Sequence, residues 1–122
     1  MTTDFIQAGT RVVTRQIVSK GTETVLSLGK DAYAGSFTIV DLIISSTSTG
    51  HVTVLVRDNE HTHILVSLKG PGVFNHNFSH GWTFWKDSRL EVVKEEEDGV
   101  VDIACGYVKV YNNQTYDQWS RR

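Results

Sequence analysis

Valine, isoleucine, threonine and aromatic residues alternate with polar positions along most of this chain, and nowhere do they recur at helical spacing over a useful length. Successive side chains of a strand point to opposite faces, so this alternation predicts strands that are wet on one side and buried on the other. Nine runs carry the pattern: Arg11–Ser19, Glu23–Leu28, Phe37–Ser45, His51–Arg57, His61–Lys69, Val73–Phe78, Thr83–Trp85, Arg89–Glu95 and Val100–Tyr111. Between them fall short breaks of turn chemistry, "SKGTE", "GKDAYAG", "STSTG", "DNE", "KGPG", "SHG", "KDS" and "EEEDG". Eight to nine antiparallel strands with such short links predict an all-β fold, a jelly-roll β-sandwich. The expected organisation is one sandwich over 10–111, an N-terminal arm over 1–9 and a C-terminal tail over 112–122.

The run "GHVTVLVRDNEHTHILVSL" predicts a hairpin and a register. With Asp58-Asn59-Glu60 as a three-residue loop, Arg57 faces His61. Val52, Val54 and Val56 then share the core face with Thr62, Ile64 and Val66. The outer face carries His51, Thr53, Leu55 and Arg57 opposite Ser67, Leu65, His63 and His61. Leu55 and Leu65 on that face are either two ordinary exposed leucines or, with His61 and His63, part of a subunit interface. In the last run, Val101 and Ile103 alternate in one phase while Val108 and Val110 alternate in the other. A β-bulge at Cys105-Gly106 would reconcile the two and make Cys105 a small buried residue.

The 122 residues suffice for one domain, and 39% hydrophobic with 21% charged residues is a globular composition. A net charge of −2 offers no basic field for nucleic acid or for an acidic membrane surface. The one cysteine excludes an intramolecular disulfide and a cysteine-based zinc site. No apolar run approaches the roughly 20 residues that span a bilayer, and "MTTDFIQAG" lacks the blocks of a signal peptide. A cytosolic origin is expected, including a virus particle assembled in a cytoplasm.

Candidate chemistry is thin. Five histidines (His51, His61, His63, His76 and His80) and many serines are present, yet none sits in a motif such as G-x-S-x-G or H-E-x-x-H, so no enzyme is expected. His61 and His63 stand two apart on one strand, a spacing that can hold zinc or nickel, but no carboxylate or cysteine nearby completes a set. No cofactor is expected. "KEEEDG" lacks the calcium-loop pattern and reads as a solvated turn. Trp82, Phe84 and Trp85 either cap the core or offer Trp82 and Trp85 as a platform for a sugar ring. A platform needs acidic and amide groups at the same end, which the linear sequence cannot place. The arms carry Phe5, Ile6, Trp119, Arg121 and Arg122, residue types that anchor interfaces unless the arms are merely loose ends.

The stretch from Phe37 to Val110 resembles a module of tailed-phage structural proteins. The resemblance rests on "VDLIISSTSTG", then "VTVLVRD" and "HILVSL", then "GPGVFNHNF", "WKDSRLEV" and a closing "VDIACGYVKV". Proteins with this module are similar to jelly-roll capsid decoration (cement) proteins. The resemblance implies an eight-stranded jelly roll, a homotrimer seated on the outside of an icosahedral head, the major capsid protein as partner, and no catalytic set. It also implies an adhesive role, in which Phe5, Ile6, Trp119, Arg121 and Arg122 would meet the capsid and Leu55 and Leu65 the other subunits. The aromatic-rich "HGWTFW" departs from the pattern and leaves a second class open, a glycan- or receptor-binding module of a phage fibre or tail.

Overall fold

The computed structural model describes residues 10–28, 34–85 and 87–111. Eight strands account for most of them: β1 (Thr10–Ile17), β2 (Gly21–Ser27), β3 (Ala34–Ser46), β4 (His51–Arg57), β5 (Thr62–Lys69), β6 (Gly72–Trp85), β7 (Arg89–Lys94) and β8 (Val101–Tyr111). They form two four-stranded sheets, ordered β1-β8-β3-β6 and β2-β7-β4-β5. The chain is folded back on itself so that β1 pairs β8, β2 pairs β7, β3 pairs β6 and β4 pairs β5, all antiparallel. That is the jelly-roll order, and the all-β expectation holds with eight strands.

The core lies between the sheets and is built by the alternation seen in the sequence. Val52, Val54 and Val56 of β4 and Leu90 and Val92 of β7 point inward from one sheet. Phe37, Ile39, Leu42 and Ile44 of β3 meet them from the other sheet, with Val101, Ile103 and Cys105 of β8. Each such side chain contributes about 1.5–3 kcal/mol by leaving water, which offsets the entropy of ordering its strand.

Three expectations are corrected. The bulge that re-phases the sheet sits in β3, not at Cys105-Gly106: Ile39 pairs Tyr107 and Asp41 pairs Gly106, leaving Val40 as the extra residue. Strand β8 therefore keeps one phase, with Val101, Ile103, Cys105 and Tyr107 inward and Val110 on the wet face. Gly106 lies against the bulge, where a Cβ would stand 3.4 Å from both Val40 Cγ2 and Asp41 Cβ, an ordinary contact. Second, "SHG" is not a strand break. It is a bulge inside β6, where Phe78 to Gly81 lie unpaired between Asn77↔Asp41 and Trp82↔Ile39. Gly81 takes the left-handed backbone (φ 72°) that made the triplet look like a turn.

The third correction is the β4–β5 register. Arg57 pairs Thr62, not His61, because Asp58 closes a longer loop: its carboxylate accepts the N–H groups of Glu60 (2.7 Å) and His61 (2.6 Å). One added loop residue flips the next stretch of β5. His63 now faces the core side opposite Val56, and Ile64 faces solvent opposite Leu55. A bulge at Leu65 then restores the expected phase, with Val66 and Leu68 packed on the core.

Candidate functional site

At one end of the sandwich the β4–β5 and β6–β7 links lie together, since Arg57 pairs Arg89 across β4 and β7. From that end a continuous run of rings extends along the open seam between the edge strands β5 and β6. Phe37 and Phe84 stand 5.8 Å apart, Phe84 and Trp82 5.3 Å, Trp82 and Phe78 6.2 Å, Phe78 and His76 4.5 Å, and His76 and Phe74 6.1 Å between ring centroids. His63 joins from β5, 5.8 Å from Phe84 and 6.3 Å from Trp82, with His61 stacked on it at 6.3 Å. Packed edge to face, tilted or stacked, these rings close a gap that no backbone pairing spans.

The predicted site residues are distributed differently from the sequence reading. Leu55 keeps its outward phase but is only 5% exposed, flanked in register by Ile64 and Glu91. Leu65 packs against the core, and His63 points into the ring seam, so Leu55, Leu65, His61 and His63 do not make one outer patch. His51 sits at the far end of the hairpin, opposite Lys69 and 3.4 Å from Glu95, away from His61 and His63. Among the described residues no group of three His, Cys, Asp or Glu could hold a metal ion. Phe5, Ile6, Trp119, Arg121 and Arg122 lie outside the described residues.

The two tryptophans also part company. Trp82 pairs Ile39 on the inner face, whereas Trp85 pairs Ser36 on the outer face. Trp82 is 39% exposed within the ring run, while Trp85 is 74% exposed, and no ring contact among the described residues includes it. Beside Trp85 opens a notch lined by Asp58, Asn59, Glu60 and Asp87, and a smaller hollow lined by Ser36, Thr83 and Phe84 adjoins it. These polar neighbours were missed in the sequence because they come from the other sheet's loop and from the β6–β7 turn.

The opposite end of the sandwich is tied by a buried cation. Lys94, 1% exposed, donates to the carbonyls of Glu96 and Asp98. The Asp98 carboxylate in turn accepts from Ser48 Oγ (3.0 Å), Thr49 N (3.1 Å) and Thr49 Oγ1 (2.9 Å), joining the acidic turn to the β3–β4 link. The hydrogen bonds from the Thr49 side chain and backbone, then from Ser48, hold the Asp98 carboxyl below its ordinary value. A depressed carboxyl stabilises the fold above its unfolded pKa and loses that contribution as pH falls through the folded one. The Thr49 amide resonance should therefore move in an acid titration only below the ordinary carboxylate range, and an Asp98→Asn chain should lack that inflection.

Cys105 is buried, and its thiol is pushed up to about 12 by burial and, secondarily, by the charge of Asp41. The thiolate is the reactive form, so at pH 8 a thiol reagent should label Cys105 only as fast as the chain unfolds. Labelling of the native protein at the rate of a free thiol would contradict this placement.

No protein-family model and no curated protein matches the chain. Several solved structures share the fold. One is a chain of the acid-stable capsid of Helicobacter pylori bacteriophage KHP30, at TM-score 0.58 and 10% identity, covering 84% of this chain and 92% of that one. Another belongs to Bacillus endospore appendages, which form disulfide-linked pili, at TM-score 0.55 and 7% identity, covering 84% and 88%. A third is the Drosophila NLP core, known for pentamer formation and histone binding, at TM-score 0.54 and 14% identity, covering 82% and 97%. At such identities the likeness establishes the jelly-roll fold.

Proposed function

We propose that this chain is a non-enzymatic structural protein of a phage virion, a decoration protein that seats on the outside of the capsid. The observation that carries the reading is the fold-wide likeness to a chain of a phage capsid, which spans 84% of this chain and 92% of that one. The surface supports it. On the outer face of the β1-β8-β3-β6 sheet, Val12, Ile43, Val73 and Val110 are exposed. The carboxylates on that face are already occupied, Asp41 by Asn77 (2.5 Å) and Asp102 by Gln16 (3.1 Å). A broad sheet face carrying four exposed apolar side chains suits docking on other protein. Adhesion would come from several such contacts acting together in a self-associated particle, a trimer, through effective concentration. Assembly of the pilus kind through disulfides is disfavoured, because the one cysteine is buried.

The test is molar mass by light scattering combined with co-sedimentation on undecorated heads. A trimer that pellets with heads is the expected result, and an Ile43→Glu, Val73→Glu double variant should bind heads at least tenfold more weakly while folding normally. A pentamer that pellets would replace the trimer and keep the capsid role. A monomer that ignores heads would remove the reading.

A further inference from the structure

We infer that Trp85, together with the Asp58–Glu60 loop and Asp87, forms a binding site for a neutral oligosaccharide. This goes beyond the capsid reading and does not depend on it. Trp85 has the most exposed of the large apolar side chains among the described residues, at 74%. A bulky indole held in water at the tip of a strand makes none of its neighbours' ring contacts among the described residues, and no packing against them explains it. It stands between two depressions, the notch of Asp58, Asn59, Glu60 and Asp87 on one side and the hollow of Ser36, Thr83 and Phe84 on the other.

The surrounding backbone is set in advance. Ser88 N donates to Trp85 O at 3.0 Å, closing the turn that carries Asp87, and Asp58 N donates to His61 O at 3.0 Å, closing the loop that carries Asn59 and Glu60. Asp58 further locks its loop by accepting two N–H groups. A site fixed before its ligand arrives loses less entropy on binding.

The chemistry selects the ligand class. A pyranose ring has a C–H face, slightly positive and matched to the negative face of an indole, and an edge of hydroxyls that each donate and accept. The rim offers acceptors in Glu60, Asp87 and Asp58, both functions in the Asn59 amide, and hydroxyls in Ser36 and in Thr83, which also shares a hydrogen bond with Thr38 Oγ1 at 2.8 Å. Three carboxylates at the rim repel an acidic sugar, which points to a neutral one. An arginine-bearing peptide is the competing occupant, since a guanidinium also stacks on indole. The mixed donor and acceptor rim favours the sugar, because a cation has no use for the amide N–H or the hydroxyl donors. Asp58 is also partly spent on its own loop and lies 3.7 Å from His61 Nδ1.

The three tryptophans of the chain give three indole N–H resonances, so the site can be read one ring at a time. The full chain is titrated with cellotetraose, maltotetraose, mannotetraose and chitotetraose, and separately with tetra-arginine. The expected result is a saturable shift of the Trp85 indole with one of the tetrasaccharides at concentrations on the order of 1–10 mM, while the Trp82 and Trp119 resonances stay in place. Trp85→Ala should weaken binding at least tenfold and Asp87→Asn several-fold, with both variants melting as the parent does. The inference is overturned if none of the four sugars moves Trp85, if binding survives in Trp85→Ala, if the shifts centre on Trp82, or if tetra-arginine alone binds. Since heads are absent from the experiment, its failure and a failure of capsid binding are told apart.

Discussion

Replacing Phe37 with alanine should lower the unfolding free energy by about 3–5 kcal/mol, read from the urea midpoint at unchanged slope. Phe37 is fully buried near the start of β3, where its ring meets Phe84 at 5.8 Å. Truncation removes the transfer energy of a phenyl group and leaves a void that two hydrogen-bonded sheets cannot collapse into. Phe84 is also where His63 and Trp82 join the ring run, so the loss should spread along the β5–β6 seam. The Trp82 indole should broaden or shift in the variant. The Trp85 indole, on the opposite face, should keep its position. A loss below about 1 kcal/mol would mean that the seam, and not the core, carries this part of the fold.

The second large effect is expected at Lys94. Lys94→Ala should cost about 3–6 kcal/mol, because hydrogen bonds from a charged donor are worth roughly 1.5–3 kcal/mol each and two carbonyls lose theirs. The Asp98 carboxylate still ties the turn to the β3–β4 link, but the Glu96 and Asp98 carbonyls are left without their buried donor. Gly99 packs so tightly on the β3–β4 link that a Cβ there would lie 2.5 Å from Ser48 N, and its φ of 72° favours glycine in any case. Once the ammonium is gone, Glu95, Glu96 and Glu97 repel one another with no internal cation beneath them. Lys94→Met, which keeps the stem and removes the charge, separates the two contributions. A methionine variant as stable as the parent would show that the apolar stem matters and the ammonium does not.

The Glu91 site illustrates how far local reasoning reaches. From the sequence Glu91 is one polar position in an alternating strand, expected to be wet. It is only 6% exposed, held by Arg89 Nε at 3.3 Å and by Arg57 Nε at 3.4 Å, the latter an ion pair without hydrogen-bond alignment. Nothing in "RLEVVK" foretells this, because Arg57 arrives from another strand through the β4–β7 register. Trp85 follows the same logic in reverse. Its three-residue offset from Trp82 already implied opposite faces, but Asp58, Asn59 and Glu60, which join Asp87 in giving it a chemical meaning, come from the link after β4.

The alternation of apolar and polar residues determined by itself that this protein is an all-β sandwich, and it named Val52, Val54, Val56 and Val66 as core. Side-chain direction within a strand is a local property of the backbone, so a period of two is readable wherever one face is dry. What only the tertiary structure decided was register. Asp58 draws one more residue into its loop, and Leu65 and Val40 add bulges. Each of these shifts moves side chains from one face to the other, sending His63 inward and Ile64 out. They are fixed by hydrogen bonds and contacts between residues distant in the chain, and a pattern read along one strand does not contain them.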